Sequence, residues 1–189
     1  AEKNFHTELM FVVGTCASDI IGEDIDAVCR EMQPKIKAKL IPLQAGGFRG
    51  NCYDGIDMGL EMLLPMIEKS PIKYTDSVNI IAPQASANPT WYADLAWVRQ
   101  ILGKIGLNVQ TVFCHETSLQ EIKQAGRASA NILLSNDAGQ QFAEKLEDEY
   151  GIPWIMRDIP MPIGLKNTKR WLKALGHYFH RDKQIENII

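Results

Sequence analysis

Residues 9–25, Leu9-Met10-Phe11-Val12-Val13-Gly14-Thr15-Cys16-Ala17-Ser18-Asp19-Ile20-Ile21-Gly22-Glu23-Asp24-Ile25, carry an apolar run directly into a run with helical spacing. Leu9 to Val13 read as a buried strand, and Ile21, Ile25, Val28, Cys29 and Met32 recur at the interval of a helix face. Cys16 therefore falls on a strand-to-helix turn. Backbone N–H groups and the positive end of the following helix favour a thiolate at such a turn, and the thiolate is the form that binds metal or attacks an electrophile. Cysteine is also among the most buried residue types, so a plain core role stands beside the functional one.

The same alternation continues outward. Ala38 to Leu43 read as a second strand, running into the glycine-rich turn Gln44-Ala45-Gly46-Gly47-Phe48-Arg49-Gly50, whose small residues allow close backbone approach. This turn has neither Gly-Lys-Ser/Thr nor G-x-G-x-x-G, so a phosphate loop is not indicated. A helix with Ile56, Met58, Leu60, Met62, Leu63 and Met66 follows, read as core or subunit contact rather than a cofactor box. Beyond it, strands are expected at Val78–Ala82, Val109–Cys114, Ile132–Leu134 and Trp154–Ile159. Helices are expected at Trp91–Ile105, Leu119–Ala128, Ala138–Tyr150 and Leu165–His180. Strands alternating with helices of this length predict an α/β fold of two Rossmann-like domains, with parallel sheets flanked by helices. Residues 1–72 form the first domain and 73–189 the second, with the polar, proline-bearing Ser70–Asp76 as linker.

The chain has 189 residues, enough for one large or two small domains, since typical domains run to about 100–150 residues. Its hydrophobic content of 46% and charged content of 23% are those of an ordinary globular protein. A net charge of −3 with mixed signs gives no basic footprint, which argues against a nucleic-acid partner. No apolar run approaches the roughly 20 residues of a membrane span, and no signal-peptide pattern is present, so a cytoplasmic protein without a membrane partner is expected. Cys16, Cys29, Cys52 and Cys114 contain no C-x-x-C pair, so a metal site must draw ligands from outside this chain.

Ligands of parallel sheets bind at the carboxyl ends of strands. The loops there hold Cys16, Arg49, Gln84, Asn88, His115, Ser135 and Asn136. For Ser135, Asn136 and Asp137 a helix-capping role explains the polarity equally well. His177 and His180, one turn apart near the end of the last helix, read as a solvated face.

Three stretches carry a resemblance. Thr15-Cys16-x-x-x-Ile20-Ile21-Gly22-Glu23-Asp24-Ile25 is similar to the "TCxxxLIGDDI" segment of nitrogenase component 1 subunits, with Glu23 in place of the first Asp. Gly47-Phe48-Arg49-Gly50 resembles their "GFxG" turn, and Tyr150-Gly151-Ile152-Pro153-Trp154, after the acidic run Glu147-Asp148-Glu149, resembles "YGIPW". The three fall in the family's order and span most of the chain. The resemblance implies a fragment of a three-domain subunit, with most of domain one and all of domain two. It also implies an iron–sulfur cluster shared with a homologous component 1 subunit, with Cys16 as a metal ligand and the other cluster cysteines upstream of this turn. That cluster belongs to the complete complex and is expected to be absent from this fragment.

In catalytic alpha chains of that family a cysteine before the helix leading into "YGIPW" binds the large cofactor. Ser135 stands at or next to that place here, with Asn136 beside it, and neither is a soft ligand. Asn51, Cys52, Tyr53, Asp54 and Asp57 stand where the family's substrate-handling Gln and His lie, so nitrogen reduction is not expected. The expected function is that of a nitrogenase-like oxidoreductase subunit. An ATP-dependent iron–sulfur reductase would supply electrons, and a cluster held in part by Cys16 would pass them to a substrate or cofactor precursor. Arg49, Gln84, Ser135 and Asn136 are the expected cofactor-binding residues. A non-catalytic scaffold or small-ligand module is the alternative, and a thiol enzyme using Cys16 as nucleophile lacks an evident base.

Overall fold

Two strands, β1 (Leu9–Val13) and β2 (Lys39–Leu43), pair in parallel with Phe11 opposite Ile41 and Val13 opposite Leu43. They belong to a computed structural model that describes residue 4 and residues 7–82, 89–113 and 115–189. The chain divides into two units, Ala1–Met62 and Leu63–Ile189.

In the first unit the turn after β1 begins a short helix, α1 (Cys16–Ile20), followed by α2 (Ile25–Met32) and, after β2, α3 (Cys52–Glu61). The single helix expected from Ile21 onward starts instead at Ile25, because Asp24 caps it by accepting from the Ala27 N–H at 2.9 Å. Ile21 thus lies outside the amphipathic face and is exposed. Ile25, Cys29 and Leu40 form the buried cluster, with Met10, Val12 and Ile36 against it. Met10, Val12 and Leu40 come from one sheet face, and Ile25 and Cys29 of α2 pack over it. On the other face Phe11 and Val13 are exposed, so β1 is half-buried rather than buried as its composition suggests.

The second unit has a four-stranded parallel sheet in the order β4-β3-β5-β6, built from β3 (Tyr74–Ile81), β4 (Asn108–Phe113), β5 (Ala128–Leu133) and β6 (Trp154–Ile155). Helices α4 (Trp91–Lys104), α5 (Leu119–Gln124), α6 (Gln140–Tyr150), α7 (Gly164–Tyr178) and α8 (Asp182–Glu186) cover it. Val78, Ile80 and Ile132 pack with Leu102 of α4 and Trp171 and Leu175 of α7, all at most a few per cent exposed. On the other face Phe113 meets Phe142 of α6 edge-on at 4.8 Å. The fold is therefore α/β with parallel sheets and helices on both faces of the second, as expected.

Directly across the β3–β5 register stand Asn79 and Asn131, both fully buried. Asn79 Nδ2 donates to Asn131 Oδ1 at 3.0 Å and to the Ala125 carbonyl at 3.1 Å, and Asn131 Nδ2 donates to the Ile152 carbonyl at 2.8 Å. Buried amides need such partners, so this pair fixes the register of the two central strands. Gly151 ends α6 in the left-handed region (φ 64°), its N–H returning to the Glu147 carbonyl at 3.0 Å while the Ile152 N–H reaches Leu146 at 3.2 Å. This helix stop tucks Ile152 into the core and accounts physically for the Tyr150–Trp154 stretch.

Several elements differ from expectation. Ser70–Asp76, expected as linker, lies within the second unit, and Tyr74 already pairs with Ala128. Lys73 holds the segment there, its Nζ donating to the Gly126 carbonyl at 2.6 Å and the Tyr150 carbonyl at 2.8 Å. Burial lowers the pKa of its ammonium. β5 begins at Ala128 rather than Ile132, since the small Ala128 and Ala130 are completely buried and carry no obvious strand signal. β6 stops after Ile155 because Met156 takes a left-handed conformation (φ 60°). No helix among the described residues is long and apolar enough to cross a membrane.

Candidate functional site

β1 and β2 run in the same direction, so the loops after them emerge at one edge of the sheet. The Gly14 N–H donates to the Leu43 carbonyl at 2.8 Å and ties the two loops at their base. Cys16 opens α1 as its first residue and is exposed. Thr15 and Ser18 form a capping box around it, with the Thr15 N–H on Ser18 Oγ at 2.7 Å and the Ser18 N–H on Thr15 Oγ1 at 3.3 Å. From the neighbouring loop the Gly47 N–H donates to Cys16 Sγ at 3.2 Å.

The helix after Cys16 is only five residues long, so its dipole is a minor contribution. The directed polar contact on the sulfur is the N–H···S bond from Gly47. Arg49 shares the loop with Gly47. Its Nη2 donates to Gln44 Oε1 at 2.6 Å, and its Nε lies 3.7 Å from Asp19 Oδ2 on α1. Structure thus brings Cys16 and Arg49, 33 positions apart in sequence, to one edge of the first unit. A cavity of about 460 Å³ opens beside Arg49, lined by Val13, Gly46, Gly47, Arg49, Cys52 and Met58.

The other thiols separate by environment. Cys52 is exposed at the first position of α3. Cys29 is buried in the core, where desolvation and the nearby Asp26 charge push its thiol pKa up and leave it inert. Cys114 lies outside the described residues. Among the described residues no three His, Cys, Asp or Glu side chains are grouped to hold a metal ion.

Ser135 and Asn136 lie in the second unit, in the loop after β5. Ser135 Oγ accepts the Asp137 and Ala138 N–H groups at 3.1 and 3.2 Å, and the Asn136 carbonyl accepts from Gln140 Nε2 at 2.9 Å. Gln84 and Asn88 lie outside the described residues. The carboxyl ends of β3 and β5 open onto a cavity of about 700 Å³ lined by Ala82, Trp91, Leu95, Leu134, Ile163 and Thr168. His115, at the end of β4, packs its ring on Trp91 at 3.9 Å with Nε2 3.7 Å from Glu116 Oε1. Sequence reasoning did not single out Asp19, Gln44 or the Gly47 N–H. A signal existed, because two consecutive parallel strands must present their following loops side by side.

Parallel sheets with helices on their faces define a Rossmann-like α/β protein. The family described as nitrogenase component 1 type oxidoreductase matches residues 1–189, and the chain belongs to it. It is 33% identical over 177 residues to the nitrogenase iron-molybdenum cofactor biosynthesis protein NifE of Nostoc sp. (strain PCC 7120), covering 92% of this chain and 35% of that protein. It is 27% identical over 183 residues to the nitrogenase molybdenum-iron protein alpha chain of Methanosarcina barkeri, covering 94% of this chain and 32% of that protein. A solved structure described as "Nitrogenase Cp1 at pH 6.5" superposes with a TM-score of 0.82 at 23% identity, covering all of this chain and 36% of that one. The chain spans roughly a third of the length of these relatives.

Proposed function

We propose that this chain is part of a nitrogenase-like component 1 oxidoreductase subunit that works together with a homologous subunit. Cys16 supplies a thiolate ligand to an iron–sulfur cluster completed by ligands from outside the described residues. The observation that carries this reading is the exposed Cys16 sulfur at the loop edge, already receiving the Gly47 N–H at 3.2 Å. An exposed, hydrogen-bonded thiol on a loop clamped to its neighbour suits a metal ligand, and a single such ligand suits a shared site. The bound cluster would supply one-electron chemistry. The role of this chain's residues is to present one sulfur, orient it, and shape the surroundings.

Electrons would come from an ATP-dependent iron–sulfur reductase and go to a substrate or cofactor precursor. Arg49 and Gln84 remain proposed cofactor contacts together with Ser135 and Asn136, which offer hydroxyl and amide groups rather than sulfur or imidazole. That choice of groups favours a loosely held precursor over a permanently ligated cofactor. The second reading, a scaffold without catalysis, draws support from the relative named as a cofactor biosynthesis protein.

The test is iron and acid-labile sulfide on the complete native protein, purified anaerobically with its co-purifying subunit. Iron that is present in the wild type and falls in Cys16→Ala supports the relay. Absence of iron from both removes it and leaves the scaffold.

A further inference from the structure

The loop that carries the Gly47 N–H is held in place by an acid on the other loop. Asp19 projects from α1 with only 16% of its side chain exposed, and its carboxylate lies against the Cα of Gly46. A Cβ at position 46 would collide with Asp19 Oδ2 and stand 2.7 Å from its Cγ, so a side chain there would push the carboxylate out of its place. On its other side the carboxylate faces Arg49 Nε at 3.7 Å. The Arg49 N–H closes the turn on the Gly46 carbonyl at 3.0 Å, and its guanidinium is steered by Gln44, whose own Nε2 donates to Asp26 Oδ2 at 3.4 Å. Gly47, between these two anchors, is the residue that donates to Cys16 Sγ, and a Cβ there would stand 3.1 Å from that sulfur.

We infer that Asp19 and Arg49 are positioning residues: the Asp19 carboxylate, gripped between the Gly46 Cα and the Arg49 guanidinium, fixes the Gly47 N–H on the Cys16 sulfur and so tunes the group that this sulfur ligates. This rests on the proposed ligand role of Cys16 and adds the means by which the chain adjusts it. Donors to a ligating sulfur stabilise the more negative, reduced state and raise its potential, and the effect depends on holding the donor still. The pair itself is half in water through Arg49, so its weight lies in geometry and not in gross stability.

The test uses the complete native protein with its partner subunit and two readouts. Amide hydrogen exchange over residues 46–49 is expected to quicken roughly fivefold at Gly47 in Asp19→Asn and in Arg49→Met, the factor for one modest hydrogen bond. Arg49→Lys, which keeps the charge, is expected to restore most of the protection. In iron-loaded protein the midpoint potential is expected to move negative in Asp19→Asn with iron content unchanged, while Arg49→Met is read by exchange alone. Unaltered exchange at Gly47 in both variants overturns the clamp, and faster exchange with an unaltered potential overturns the tuning. The exchange readout needs no iron, so a protein found without a cluster defeats the relay while leaving the clamp to be judged on its own.

Discussion

Ile80, Ile81 and Ile132 on the central strands of the second unit are completely buried, whereas Phe11 and Val13 on β1 of the first are 37% and 53% exposed. The strands are alike in composition. What separates them is cover: four strands in the second unit have helices on both faces, whereas in the first β1 is covered chiefly on the face that meets α2, even though Ile41 and Leu43 beside it on β2 are buried. An apolar strand states that it can be buried, and the number of neighbours decides whether both its faces are. The less packed unit carries Cys16, so the proposed cluster ligand lies outside the better-packed part of the chain. Loops with a function commonly sit on thinly packed ground, where a small change in packing reaches the site directly.

The largest expected effect breaks the better-packed side. Asn131→Leu leaves the Ile152 carbonyl without its donor and Asn79 Nδ2 with one partner fewer, and is expected to cost about 3 kcal/mol. Denaturant unfolding measures it, and a cost below about 1 kcal/mol would mean that the asparagine pair does not set the register. Next is the thinner side. Ile25→Ala is expected to cost about 2 kcal/mol, at the low end for a core truncation, because the half-buried Met10 and Val12 around it can close in. Hydrogen exchange should show that loss within residues 9–43 and not in β3 or β5; spread into β3 and β5 would mean that the two units unfold as one.

The smallest effect sharpens the comparison through pH. The Tyr150 hydroxyl donates to the Leu64 carbonyl, and burial first, then Glu149, raises its pKa. The folded state therefore favours the neutral phenol. That stabilisation is complete below the unfolded value of about 10 and is lost as pH rises through the raised folded value. Unfolding free energy should fall above about pH 10 more steeply in the wild type than in Tyr150→Phe. Equal slopes would show that the phenol contributes nothing there.

The alternation of strands and helices was legible because the period of apolar residues changes with each element, from Val78–Ala82 through Trp91–Ile105 to the later pairs. Cys16 was legible because one turn joins two clearly patterned runs. Residues whose role depends on a neighbour were not. Ile21 looks like core and is 74% exposed, since the helix that would bury it starts four residues later, at Ile25. Ala128 and Ala130 look neutral and are fully buried because they sit beneath a close strand pairing. Asp19 looks like one more acid on a helix; its meaning comes from Gly46 and Arg49, about thirty residues away, through a loop contact with no period.

Lys73 has a further meaning in time. Its two acceptor carbonyls lie 53 and 77 residues further along the chain, on Gly126 and Tyr150. Neither is in place until the β5 approach and the end of α6 have docked, so the ammonium is seized only after the long loops have closed. A contact that forms so late does little to hasten folding; it acts on the return path, as a catch that must be released before the start of β3 can part from β5.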